Sequence, residues 1–244
     1  MLLSRGTGMR EQQCVLLFIK APVRGGVKSR LAAAIGEEAA LEIYKDFVIT
    51  VLETLKAGRY PFRIAVYPRD ALESVRHWLG NDLDYLPQTG KDLGERMKNA
   101  LARVFSDGIE RAVIIGSDLP DLPDEVIHEA FQSLESKDAV IGPAPDGGYY
   151  LIGFNARTFL PGVFDGLPWS TETVFSDTMG VLERSSWTVH QLPLWRDVDT
   201  LEDLNDLVAR SEERGPGPSV ALSALLRRIG AFLPGGGVNA APGG

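Results

Sequence analysis

Asp118 stands at the end of an apolar run, AVIIG at residues 112–116, that reads as a short buried strand. In the stretch GSDLPDLPDE (residues 116–125), Pro120 keeps that strand from continuing. Pro123, Asp124 and Glu125 then suit the first turn of a helix. A carboxylate at the carboxyl end of a central strand, beside the small Gly116 and the Ser117 hydroxyl, suits a divalent cation carrying a polyphosphate. An aspartate in such a place also caps the following turn on its own account, so other segments must decide between the two readings.

The segment KAPVRGGVKSRL, residues 20–31, is the second chemical stretch. Pro22, Gly25 and Gly26 shape a tight turn whose amides can approach a ligand, and Lys20, Lys28 and Arg30 surround it with cations. In a chain of net charge −8 these cations form a local positive field of the kind a pyrophosphate requires. The spacing is neither that of a P-loop nor that of a G-x-G-x-x-G dinucleotide turn. A basic glycine loop on its own is often just a surface loop. Its position directly after the first strand favours phosphate binding.

Two later stretches offer contacts for a second substrate. In GPAPDGGYYLIG, residues 142–153, Gly147 and Gly148 would let a sugar or acceptor lie against the backbone. Asp146 or Tyr149 would bond its hydroxyls, and Asp146 is also placed to orient or deprotonate an acceptor. Asp-Gly is equally a strong hairpin turn. In LPWSTETVF, residues 167–175, Trp169, Ser170 and Thr171 precede a helix, and the indole either stacks on a sugar ring or staples the helix start. His77, His128 and His190 share no spacing that suggests zinc or a catalytic triad.

Taken in order, the first-strand loop, the G-S-D-x-P strand end and the D-G-G-Y-Y-L-I-G segment resemble a bacterial family of nucleotide-diphospho-sugar transferases. These are glycosyltransferase-A-like proteins related to the molybdenum-cofactor type nucleotidyltransferases. The resemblance spans roughly residues 14–210. It implies one Rossmann-like domain with a mixed sheet, a nucleotide on the first half and an acceptor on the second. From related nucleotidyltransferases it implies that QTGKDLGERM, residues 88–97, contacts the base, through Gln88, Gly90, Leu93 and Gly94. A plain loop with an Asp92 cap is the competing reading there. It likewise implies that the carboxylate before the threonine of WRDVDTLEDL, residues 195–204, joins a metal shell. That nominates Asp199 as partner to Asp118, with Asp197 second, for Mg²⁺ or Mn²⁺. Against it, Asp199 would only cap the next helix, with Glu202 in the capping position. A full D-x-D is absent, since Gly116 and Pro120 flank Asp118 at two residues.

The elements that must position these groups alternate. Apolar runs predict strands over 14–20, 63–67, 83–86, 112–116, 138–142, 149–154 and 187–192. Helical spacing predicts helices over 37–56, 72–79, 95–105, 124–134, 171–183, 201–210 and 221–233. This is an α/β chain with a mostly parallel, mixed sheet covered on both faces. Residues 1–13 read as a disordered leader and 14–213 as the domain. Residues 214–244 read as a linker, a helix that docks on the domain and a Gly/Pro-rich tail.

The 244 residues are ordinary in hydrophobic content at 44%, and the acidic balance argues against a nucleic-acid surface. The single cysteine, Cys14, excludes an internal disulfide and fits a reducing cytoplasm. No apolar run is long enough for a transmembrane helix. The expected partner is a nucleotide-sugar or a nucleoside triphosphate. The leading expectation is glycosyl transfer from a nucleotide-sugar; the alternatives are nucleotidyl transfer with release of pyrophosphate, or a non-catalytic nucleotide-binding module.

Overall fold

The structure, a computed structural model, describes residues 12–213 and 219–232. In chain order its elements are β1 (Gln13–Lys20), α1 (Ser29–Ile35), α2 (Glu37–Ala57), β2 (Phe62–Tyr67), α3 (Leu72–Leu79), β3 (Tyr85–Pro87) and α4 (Leu93–Ser106). There follow β4 (Arg111–Gly116), α5 (Asp124–Ser133), β5 (Ala139–Pro143), β6 (Tyr149–Asn155), α6 (Val174–Arg184), β7 (Val189–Gln191), α7 (Leu201–Glu213) and α8 (Val220–Gly230). The strands form one seven-stranded sheet in the order β3-β2-β1-β4-β6-β5-β7. Only β6 runs antiparallel to its neighbours, β4 and β5.

The run of apolar residues in β1 dictates cover on both faces, because successive side chains of a strand point to opposite sides. Val15, Leu17 and Ile19 enter one cluster, with Val48 of α2, Val75 of α3 and Ile127 of α5. Cys14, Leu16 and Phe18 enter another, with Leu101 of α4 and Leu182 of α6. Helix α2 is buried on two sides. Tyr44, Val48 and Val51 face the sheet, while Ile43 and Phe47 meet Leu204 and Leu207 of α7 and Leu225 and Ile229 of α8.

The docking of α8 expected from sequence is present. Leu225 and Ile229 are fully buried, which contributes about 1.5–3 kcal/mol each. The half-exposed Arg228–Asp46 pair at 2.6 Å adds at most about 1 kcal/mol, so apolar burial holds this helix. Among the described residues no helix is long and apolar enough to cross a membrane.

Several boundaries differ from the sequence reading. Gln13 belongs to β1 rather than to a leader, and its neighbour Gln12 accepts from the Glu110 and Arg111 amides. The rest of the expected leader, the linker residues 214–218 and the tail 233–244 lie outside the described residues. Helix α6 begins at Val174 rather than at 171, because Ser170 sits at φ 69° and the Thr171 hydroxyl turns back to Pro168 O at 2.7 Å. Helix α1 occupies residues that read as loop.

The sheet order reverses at β1 and β4: β2 lies beyond β1 on one side and β6 beyond β4 on the other. Ligands of open α/β sheets bind in the crevice outside the strand ends at such a point. The loop of residues 21–28 and the stretch beginning at Ser117 both leave from there.

Candidate functional site

The two strand ends are tied together by Tyr44 of α2. Its hydroxyl accepts from the Lys20 amide at 2.8 Å and donates to the Lys20 carbonyl at 2.9 Å. The Ser117 hydroxyl donates to the same oxygen at 3.4 Å. The carbonyl-end loop then turns at Gly25, with φ 70°, a conformation glycine adopts without steric cost. Gly26 donates to Val23 O at 2.9 Å to close that turn. Lys28 follows in a left-handed conformation (φ 49°, ψ 47°) and precedes the first residue of α1. A non-glycine residue there stores about 1–3 kcal/mol of strain, which the surroundings must offset.

Those surroundings are two carboxylates. The Lys28 ammonium lies 2.7 Å from Asp199 Oδ1 and 2.8 Å from Asp118 Oδ1, and it donates to Val198 O at 2.6 Å. Its side chain is 3% exposed, against 39% for Asp118 and 29% for Asp199, so the cation is buried and the anions face the cleft. Burial alone would lower the Lys28 pKa. The charges of Asp118 and Asp199 outweigh it and hold the pKa above the ordinary lysine value. Arg30 reaches the other oxygen of Asp199 at 3.2 Å from the solvent side.

Asp199 is free for this because another residue caps α7. Thr200 and Asp203 cap it reciprocally: Asp203 Oδ2 accepts from the Thr200 amide and hydroxyl, both at 2.8 Å, and from the Asp199 amide at 3.1 Å. The Thr200 hydroxyl accepts from the Asp203 amide at 3.2 Å. Glu202, the capping partner weighed from sequence, takes no part in this network. The segment is fixed to β4's end by the Val198 amide, which donates to Asp118 O at 3.0 Å. Asp197 lies beside it, and burial, then the charges of Asp199, Asp146 and Asp118, push its pKa up from 3.8 to about 6.

Around this junction the cleft has two lobes. The first, about 410 Å³, is lined by Lys20, Lys28, Arg30, Tyr67, Gln88 and Arg96 among others. Gln88 is buried, and its Nε2 donates to Ala65 O at 2.8 Å and Ile19 O at 3.3 Å, which leaves only its side-chain oxygen for a ligand. The Arg96 guanidinium lies 4.2 Å over the Tyr67 ring. The second lobe, about 650 Å³, takes in Asp146, Gly148, Tyr149, Trp169, Ser170 and Thr171, with Glu172 and Asp197. Leu93, Arg30, Asp118 and Asp199 line both lobes.

The remaining nominated residues stand behind these walls. Pro22, Gly25 and Gly26 shape the loop without lining either lobe. A Cβ on Gly90 would meet Glu95 and the Arg96 amide, and one on Gly94 would meet the Trp169 ring at 2.5 Å. Gly94 therefore lets α4 approach that indole closely. Asp92 caps α4, accepting from the Glu95 amide at 2.8 Å. Gly147, at φ 85°, lets the β5–β6 hairpin approach the Glu172 backbone, where a Cβ would collide. Its carbonyl accepts from the Phe175 amide at 2.9 Å. Asp146 Oδ1 accepts from the Gly148 amide at 2.9 Å, so the hairpin-turn reading of Asp-Gly holds while the carboxylate still lines the lobe.

Sequence reasoning missed Tyr44, Tyr67, Arg96 and Glu172 as cleft residues. Tyr44 is indistinguishable from the apolar face of its helix, and no spacing links Arg96 to Tyr67.

Residues 50–171 match a family described as "Uncharacterized protein conserved in bacteria (DUF2064)". The chain belongs to DUF2064. No curated protein sequence matches it. The structure is similar to that of a protein from Desulfovibrio desulfuricans G20 provisionally named a nucleotide-diphospho-sugar transferase, at 41% identity and TM-score 0.85, covering 91% of this chain and 96% of that one. It shares its fold, at 11% identity and TM-score 0.52, with CMP:2-keto-3-deoxy-manno-octonic acid synthetase complexed with CTP, covering 83% of this chain and 99% of that one. The same holds at 15% identity and TM-score 0.51 for molybdopterin-guanine dinucleotide biosynthesis protein A from Archaeoglobus fulgidus, covering 83% of this chain and 97% of that one. The glycosyltransferase-A-like architecture expected from sequence is thus confirmed. Asp118, Asp146 and Trp169 fall inside the DUF2064 match; Lys28, Arg30 and Asp199 fall outside it.

The donor set of this DUF2064 chain fits the divalent cation that the sequence resemblance implies. Asp118 and Asp199 converge on one ammonium, and each keeps part of its carboxylate open to the cleft. Among the described residues no group of three or more His, Cys, Asp or Glu side chains stands ready for a metal. An ion would rest on two carboxylates and need phosphate and water oxygens, as Mg²⁺ on nucleotides commonly does.

Proposed function

We propose that this chain is a glycosyltransferase-A-like transferase that binds a nucleotide-diphospho-sugar across the two lobes of the cleft. The observation that carries the reading is the meeting of Lys28 with Asp118 and Asp199 at the sheet's switch point. It gathers cations and carboxylates from both ends of the chain into one pocket. The first lobe, with the Gln88 oxygen and the Tyr67–Arg96 stack, takes the nucleoside. Lys20 and Arg30 hold the diphosphate where the lobes join, Lys28 fixes Asp118 and Asp199 from behind them, and the second lobe takes the sugar and its acceptor.

Asp118 and Asp199 would hold Mg²⁺ or Mn²⁺, which supplies positive charge to the leaving diphosphate. In the transfer, the acceptor oxygen bonds to the anomeric carbon while that carbon's bond to the diphosphate breaks. The electron pair leaves with the diphosphate, and the acceptor proton passes to the Asp146 carboxylate. Lys20 and Arg30 offset the charge that builds on the leaving oxygen. The same loop would serve nucleotidyl transfer with release of pyrophosphate, and the fold shared with the CTP-complexed synthetase keeps that second reading in play.

A thermal-shift screen of nucleoside diphosphates and nucleotide-sugars, with and without Mn²⁺, tests the proposal. The expected result is a rise in melting temperature that needs metal and is lost in Asp118→Asn. An equal rise without metal and in the variant would refute the metal assignment. Absence of any rise would refute nucleotide binding, and binding without turnover would leave only a nucleotide-binding module.

A further inference from the structure

The second lobe carries more negative charge than its role at a diphosphate explains. Asp118 and Asp199 are answered by Lys28 and Arg30. Asp146, Glu172 and Asp197 line the same lobe and have no ion-pair partner among the described residues. Arg30 is the single cationic side chain among the lining residues, and it is already engaged with Asp199 at 3.2 Å. Carboxylates accept hydrogen bonds from hydroxyls and ammonium groups and repel phosphates.

One wall of this lobe is a preset aromatic surface. The Trp169 ring is backed by Gly94, lies stacked with Phe164 at 6.5 Å and meets Tyr149 edge-on at 6.4 Å. These contacts fix the position of the indole, and an aromatic ring held in the lining of the lobe suits contact with the C–H groups of a sugar ring. A site built to present a sugar phosphate or a carboxylic acid would need free cations here, and the lining has none to spare.

We infer that the second lobe takes an acceptor bearing hydroxyls but no phosphate or carboxylate, namely a neutral or aminated sugar or polyol. This rests on the transferase reading above and deepens it. An acceptor hydroxyl then attacks the anomeric carbon, and transfer onto an anionic acceptor, as in nucleotidyl transfer to a sugar phosphate, is disfavoured.

Saturation-transfer NMR and calorimetry on the full chain, with glucose, glucosamine and glucose 6-phosphate as probes, test the inference. Glucose and glucosamine should bind, and glucose 6-phosphate should bind about tenfold more weakly or worse. Glu172→Lys, at an exposed loop position, should narrow that gap by admitting the anion. A sugar phosphate that binds as well as glucose, or a lobe that takes none of the three probes, overturns the inference. The outcome is separable from that of the nucleotide screen. If the sugar ranking holds and no nucleotide binds, the acceptor class stands and the transferase reading falls. If nucleotides bind with metal and glucose 6-phosphate ranks first, the acceptor class falls and nucleotidyl transfer gains.

Discussion

Lys28 and Asp199 lie 171 positions apart in the chain and meet at 2.7 Å. The same ammonium touches Asp118 at 2.8 Å, so one buried cation joins the loop after β1, the end of β4 and the segment before α7. Lys28 is also the left-handed residue at the start of α1, which places its strain at the centre of the cleft.

Replacing Lys28 with methionine keeps the volume and removes the charge. Breaking a fully buried pair costs about 3–5 kcal/mol, but Asp118 and Asp199 keep part of their surface in water, so a loss nearer about 1–3 kcal/mol is expected. Urea denaturation followed by circular dichroism measures it. An unchanged midpoint would mean that the ammonium contributes no net stability.

Asp197 makes stability depend on pH in a definite direction. Its folded pKa, raised to about 6 from 3.8, means the folded chain binds this proton more tightly than the unfolded one. Its contribution therefore weakens the fold as pH rises through that window, and the cost is complete above the folded value. In a chelated sample Asp197→Asn should exceed the parent in stability by about 1–3 kcal/mol at pH near 8. The gain should fade as pH approaches about 4. Melting curves at both values decide it, and a gain independent of pH would assign the effect to packing instead.

Gly94→Ala sets two effects against each other. Alanine is the better helix former by about 1 kcal/mol, less near a helix start. The added Cβ meets the Trp169 ring at 2.5 Å, and overpacking of that kind costs about 1–3 kcal/mol. The clash should win, lowering the melting temperature and shifting tryptophan emission as the indole moves. A variant that melts higher with unchanged emission would show that the ring yields freely.

Much of the frame was readable from residue types. The runs around Leu16 and Val113 have no polar interruption, so they had to be strands covered on both faces, and the periodicity of Leu41, Tyr44 and Val48 fixed α2. The direction of β6 was not readable in the same way. A central strand buried on both sides gives no sign of which way it runs, and only the Asp146-Gly147 turn hinted at a hairpin. Helix α1 was missed because it has neither a side-chain cap nor an acid in its first turn, and only Leu31 is buried.

Within the site, Lys28, Arg30, Asp118 and Asp199 are brought together as the sequence suggested. The exchange of capping duty from Asp199 to Thr200 and Asp203 was invisible, because each of these residues can cap. The reason for Gly94 lies in Trp169, 75 positions away by the chain numbering, and no local pattern reports a contact of that range.

The Val198–Asp118 bond splices a late segment of the chain onto the end of a strand laid down much earlier. All seven strands are complete by Gln191, yet the carboxylate that completes the Lys28 triad arrives eight residues later. A chain ending just after β7 would contain every strand of the sheet and lack the Asp199 carboxylate of the cleft. Framework and charge pattern are thus written in separate stretches of the sequence.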